Sequence, residues 1–170
     1  PLRPVNVYAR SKVAGEQLIA GARDRGLRAC IIRLSNVYGS TQDHLDRVVP
    51  AFARAALLGQ PLRIDGCDHT FDFTHISDVV QGIAALVELL DRGVAPPPPI
   101  HFVSGVPTTL GHLAKLAIDI AQSGSTVTHA PPRNFDVAKF HGCPGRAESL
   151  LGWSPRTSLR QGLTALINDF

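Results

Sequence analysis

The stretch Leu27-Arg28-Ala29-Cys30-Ile31-Ile32-Arg33-Leu34-Ser35-Asn36-Val37-Tyr38-Gly39 decides the fold class. Its apolar run, Ala29 to Leu34, has the length of a buried strand and gives way to the polar pair Ser35-Asn36, then Tyr38-Gly39. The pattern predicts a strand followed by a loop. In α/β sheets the carboxyl ends of such strands are where ligand-binding residues gather.

Upstream, NVYARSKVAGEQLIAG (residues 6–21) sets Tyr8 and Lys12 four residues apart, a spacing that stacks two side chains on one helix face. Val13, Leu18 and Ile19, followed by Gly21 and Gly26, fit a helix that then stops. An ammonium near a phenol favours the phenolate and suits it to acid–base work. The alternative for so short a pattern is a half-buried aromatic beside a solvated lysine.

Downstream, VVPAFARAALLG (48–59) reads as a helix stopped by Gly59, and PLRIDG (61–66) as a short strand. FDFTHI (71–76) alternates like a strand entering the helix VVQGIAALVELLDRG (79–93), with Ser77 or Asp78 near its amino end as the capping group. Pro96 to Pro99 form a stiff extended linker. IHFVSG (100–105) and STVTHAPP (125–132) read as strands, Leu110 to about Gln122 as a helix, RAESLLGW (146–153) as a short helix stopped by Gly152, and SLRQGLTALINDF (158–170) as a final helix capped by Ser158. The order of elements is that of an α/β protein.

With 44% hydrophobic and 18% charged residues over 170 positions, the chain is expected to be globular. No apolar run reaches membrane-spanning length and PLRPVN is no secretory leader, so a cytoplasmic protein with no membrane partner is the default. The net charge of +3 comes from scattered arginines, which gives no nucleic-acid arm. Cys30, Cys67 and Cys143 have neither disulfide nor zinc spacing, and the seven histidines show no metal pattern, so no metal is expected. The absence of methionine, and a start just ahead of a helix with no strand before it, suggest a fragment.

Five segments in one order carry a resemblance: YARSKVAGEQ, RLSNVYG, VVPAFARAALLGQPLRIDG, DFTHISDVVQGI and LLGWSPRTSLRQGL. Together they resemble the NAD-dependent epimerase/dehydratase family of the extended short-chain dehydrogenase/reductase superfamily, whose members act largely on nucleotide sugars. The resemblance implies the carboxyl-terminal part of a Rossmann-type parallel sheet plus the small α/β substrate-binding domain, without the amino-terminal glycine-rich cofactor half. It implies that residues 1–45 are the distal part of the NAD-binding domain. Residues 46–170 would be mostly substrate-binding domain, with 70–105 returning in part to the Rossmann sheet.

On this resemblance Tyr8 is the general acid/base. Lys12 hydrogen-bonds the nicotinamide ribose and stabilises the Tyr8 phenolate. Tyr8, Lys12, Ser35 and Val37 then face the cofactor, NAD with NADP left open. Asn36, Arg47 and Arg133 face a nucleotide-sugar substrate, the arginines as bidentate donors to its diphosphate. A loop asparagine satisfying its own backbone and a solvated loop arginine are the plain alternatives for Asn36 and Arg133. Arg33, His75, Asp78 and Trp153 read as structural, with Asp78 able to cap its helix. Phe71 departs from the family, in which an arginine often precedes the Asp-Phe pair as a phosphate ligand. Arg47 stands where some relatives have asparagine.

The activity implied is that of a UDP-glucose 4-epimerase-like enzyme. A 4,6-dehydratase, a reductase or decarboxylase of the family, or a catalytically silent NAD-binding protein are the rivals. A homodimer is implied for the full-length protein, whereas the 170-residue chain alone is expected to be inactive and to expose a sheet edge.

Overall fold

The computed structural model describes residues 2–66, 69–132 and 138–170. Helix α1 (Val7–Arg23) starts at Asn6, whose side chain accepts a hydrogen bond from the Ala9 amide at 2.8 Å. None of its residues is buried. Two arginine contacts fasten it. Glu16 accepts from Arg33 at 2.6 and 2.8 Å, and the Arg23 guanidinium donates to the carbonyls of Pro96 and Pro97.

The apolar run after α1 divides at Ser35 into two strands, β1 (Ile32–Leu34) and β2 (Asn36–Tyr38). Asn36 is therefore on a strand, and the loop expected at this point does not form. The reason is a second partner. β1 pairs in parallel with β6 (Ile100–Phe102), whereas β2 pairs in parallel with β5 (Phe73–His75), and the Asn36 amide donates to the Asp72 carbonyl at 3.1 Å. β3 (Leu62–Asp65) runs parallel to β8 (Val127–Ala130), and β4 (Thr70–Phe71) antiparallel to β7 (Thr108–Thr109). Among the described residues three of these four pairs are parallel, in keeping with an α/β protein.

Helices α2 (Val48–Leu57), α4 (Leu110–Ala121) and α6 (Leu159–Asp169) close the larger core with β3, burying Phe52, Leu62, Ile64, Leu113, Leu163 and Leu166. The helix ends follow local chemistry. Thr109 caps α4, and Ser158 with Gln161 forms a capping box on α6. A smaller core joins α3 (Ile76–Asp91), β6 and α5 (Gly145–Leu151) around Phe102 and Trp153, whose rings meet edge-on at 4.9 Å. Gly82 lets the Phe102 ring lie close against α3, since a Cβ there would stand 2.7 Å from it. Gly152 ends α5 in the left-handed conformation at φ 62°.

The proline linker is held in place. Besides the Arg23 contacts, the Pro99 carbonyl accepts from the Arg146 guanidinium. Among the described residues no helix is long and apolar enough to cross a membrane.

Candidate active site

A cavity of about 380 Å³ lies among β2, α2, β3, β4 and the start of α4. Period-two alternation along β3 shapes one wall: Leu62 and Ile64 enter the core, so Arg63 and Asp65 face the other way and line the cavity. Arg63 Nε donates to Asp65 Oδ1 at 2.9 Å. Arg47, at the amino end of α2, reaches the cavity from a second side and makes a looser pair with Asp43 at 3.4 Å. Asn36 lines it from β2, Phe52 from α2, and His69 and Phe71 from the β4 side.

Of the residues singled out in the sequence, Asn36 and Arg47 thus share one cavity. Val37 and Arg47 line a second, more open one of about 250 Å³ together with Gly39. Ser35 looks elsewhere, its hydroxyl 2.7 Å from that of Thr74. Arg133 lies outside the described residues.

Tyr8 and Lys12 are not among the residues lining either cavity. They sit on the open face of α1, with Tyr8 69% exposed and the Lys12 ammonium 5.2 Å from the centre of its ring. The contact is of the cation–π kind and keeps the positive charge beside the phenol. Tyr38 is the opposite case. It is buried at 3% exposure, and burial together with the negative charge of Asp78 pushes its phenol above the ordinary value, so it is no acid–base candidate at neutral pH.

The corner from β5 into α3 differs from expectation in its cap. Asp78 does not cap the helix. The His75 ring accepts from the Ser77 amide at 3.3 Å and meets the Ser77 hydroxyl at 2.7 Å. Asp78 is buried in the first turn of α3, where its carboxylate accepts from the Thr157 amide at 3.0 Å and its carbonyl from the Trp153 indole at 2.8 Å. The Asp side chain is thus used to anchor the segment before α6.

Asp72, passed over in the sequence, is the most heavily used carboxylate near the site. It is fully buried and accepts from the Ser104 amide and hydroxyl, both at 2.8 Å, from the Gly105 amide at 2.7 Å, and from Thr74 at 3.2 Å. It locks the loop after β6 against the start of β5, next to the strand that carries Asn36. The only sequence signal for it was a charged residue inside an otherwise alternating strand.

A family model described as the NAD dependent epimerase/dehydratase family matches residues 1–103. UDP-glucuronic acid decarboxylase 2 of Arabidopsis thaliana is 31% identical over 173 residues, covering 100% of this chain and 38% of that protein. UDP-glucuronic acid decarboxylase 1 of Danio rerio is 29% identical, with 100% and 40% covered. Among solved structures, UDP-glucose 4-epimerase from Thermotoga maritima with UDP-glucose superposes with a TM-score of 0.87 at 29% identity, covering 98% of this chain and 53% of that one. UDP-glucose 4-epimerase from Thermus thermophilus in complex with NAD gives a TM-score of 0.86 at 25% identity, with 98% and 54% covered. The chain therefore spans about two-fifths of the curated relatives and about half of the structural ones.

Proposed function

Because the chain belongs to the NAD-dependent epimerase/dehydratase family, we propose that it carries the acid–base pair and the substrate-facing cavity of an NAD-dependent nucleotide-sugar enzyme. The observation that carries this reading is the exposed Tyr8 with the Lys12 ammonium held over its ring one helical turn away. A phenol exposed at that level contributes little to packing and is open to a reactant.

Tyr8 takes the proton from a sugar hydroxyl, and Lys12 keeps a positive charge beside the phenolate that results. Asn36 offers an amide to the sugar hydroxyls from the cavity wall. Arg47 and Arg133 offer guanidinium groups to the diphosphate. The donor set fits a dinucleotide as well: an ammonium and a phenol share one helix face and suit ribose hydroxyls, and Val37 lines an open cavity. When bound, NAD supplies a nicotinamide that accepts and returns hydride. Residues 1–45 belong to the cofactor-binding domain and 46–170 mostly to the substrate-binding domain, with 70–105 returning in part to the Rossmann sheet. The full-length protein acts as a homodimer.

The first reading is 4-epimerisation of a UDP-hexose, supported by the similarity to the Thermotoga maritima enzyme. A second is decarboxylation of UDP-glucuronic acid, favoured by decarboxylase relatives that match the whole of this chain. Both begin with Tyr8 removing a hydroxyl proton, and they differ in whether the sugar is returned with inverted stereochemistry or loses CO2. Incubating the full-length protein with NAD and UDP-glucose, UDP-galactose or UDP-glucuronic acid, followed by NMR of the sugar, separates them. A new hexose epimer supports the first reading and a UDP-pentose the second. Tight NAD binding with no product from any nucleotide sugar would replace both by a silent binding protein.

A further inference from the structure

A third cavity, of about 410 Å³, lies across β3 from the first and shares no lining residue with the two described above. The pairing of β3 with β8 sets Leu62 beside Val127 and Ile64 beside His129, and residues paired in this way point to one face of a sheet. That face is the one packed against α4, whereas Arg63 and Asp65 point the other way. Ile64 and Val127 form an apolar floor, and His129 rises beside them from β8. From α4 come His112 and Lys115, which stand three residues apart and so share a helix face. The Thr109 hydroxyl, which accepts from the His112 amide at 3.1 Å, completes the rim with its own O–H left to donate.

The polar side chains on this cavity are all donors. No carboxylate is among its lining residues, and Asp119, one turn beyond Lys115 on α4, is not on it. Among the described residues the two imidazoles and the ammonium have no ion-pair or side-chain hydrogen-bond partner. An imidazole carries at least one N–H in either protonation state, and a lysine ammonium binds phosphate as a point charge. A phosphate monoester, with a charge of about −1.5 to −2 at neutral pH, matches such a set of convergent donors.

We propose that this cavity is a second ligand site, which takes the phosphate of a small monoester between His112, Lys115 and His129 and seats its apolar body on Ile64 and Val127. The site is separate from the one on the far side of β3 and stands whether or not the nucleotide-sugar reading does.

The test is titration of the full-length protein, isotope-labelled in histidine, with phenyl phosphate, inorganic phosphate and phenol near neutral pH. The readout is the imidazole NMR signals of His112 and His129, assigned by their loss in His112→Gln and His129→Gln. Phenyl phosphate is expected to shift both signals saturably and to bind at least about fivefold more tightly than inorganic phosphate, because its ring is taken out of water. Phenol is expected to leave both signals in place. Lys115→Glu, at an exposed position, is expected to weaken phenyl phosphate binding by about tenfold or more with little change in melting temperature. Prior saturation with UDP is expected to leave the titration unchanged.

The proposal is overturned if phenyl phosphate shifts neither signal, if Lys115→Glu binds it like the parent, or if phenol shifts the signals as far. Equal affinity for inorganic phosphate would remove the apolar seat and overturn it as stated. Competition by UDP would move the ligand to the cavity on the other face of β3 and overturn it as well.

Discussion

Helix α1 and helix α4 invite comparison because they are built so differently. α4 spans 12 residues and buries five of them, Leu110, Leu113, Ala114, Leu116 and Ala117, in the larger core. α1 is longer, at 17 residues, and buries none. The candidate acid–base pair rides on the second kind of helix, and the cavity that would take substrate is walled by elements of the first. Chemistry and core are thus separated. The cavity wall is fixed by packing, whereas the Tyr8–Lys12 face is positioned by a few polar contacts made through arginines.

The largest effect that would break this contrast is in the core. Leu163→Ala, at a fully buried position on α6, is expected to cost about 3 kcal/mol, the usual size for a buried leucine truncated to alanine. Leu18→Ala on α1, 74% exposed, is expected to cost about 0.5 kcal/mol or less. Denaturant melts of both variants check the pair, and equal losses would show that α1 is packed after all.

Asp72→Asn should come next. It leaves at least one of the amides of Ser104 and Gly105 with a weaker acceptor in a buried setting, for about 2 kcal/mol. Because Asp72 fixes the loop behind β5, the same variant is expected to loosen the strand carrying Asn36, seen as faster amide exchange along β2. Unchanged exchange there would confine Asp72 to its own loop.

The smallest effect lies on α1. The Arg33 guanidinium hydrogen-bonded to Glu16 holds that carboxyl below its ordinary range, and the pairing in turn raises Arg33. Since the folded-state value is the lower one, the stabilisation is present above the usual carboxylate range and is lost as pH falls through the depressed value. Glu16→Gln is expected to cost at most about 1 kcal/mol at neutral pH, because both groups are partly solvated. Stability of the variant and of the parent should converge from about pH 5 downward. A constant gap across that range would mean that charge is not what fastens α1.

The sequence made local features legible. Gly152, Thr109 and Ser158 mark helix ends where the structure has them, because capping is decided within a few residues. Pairing between distant segments was not legible. Nothing in Leu62 to Asp65 announces Val127 to Ala130 as its partner, and Ser35 gives no sign that the strand divides there. The cap on α3 passed from Asp78 to His75 because Thr157, 79 residues away, claims the carboxylate.

The same limit applies to the site. Asn36 and Arg47 could be named from motif segments, whereas Arg63, Asp65 and His69 reach the cavity through strand alternation and packing that no short pattern encodes. Asp72 was hidden for the same reason. Its partners at Ser104 and Gly105 come from a loop more than thirty residues later.

The most direct test of the account is turnover by Tyr8→Phe in the full-length protein, on whichever nucleotide sugar the parent converts. The variant keeps the ring under Lys12 and removes only the hydroxyl. It is predicted to retain nucleotide binding and melting temperature while kcat falls by about 100-fold or more, the usual share of a general acid–base group. A variant that turns over at the parent rate would contradict the assignment of Tyr8 and return the Tyr8–Lys12 pair to the surface of a helix.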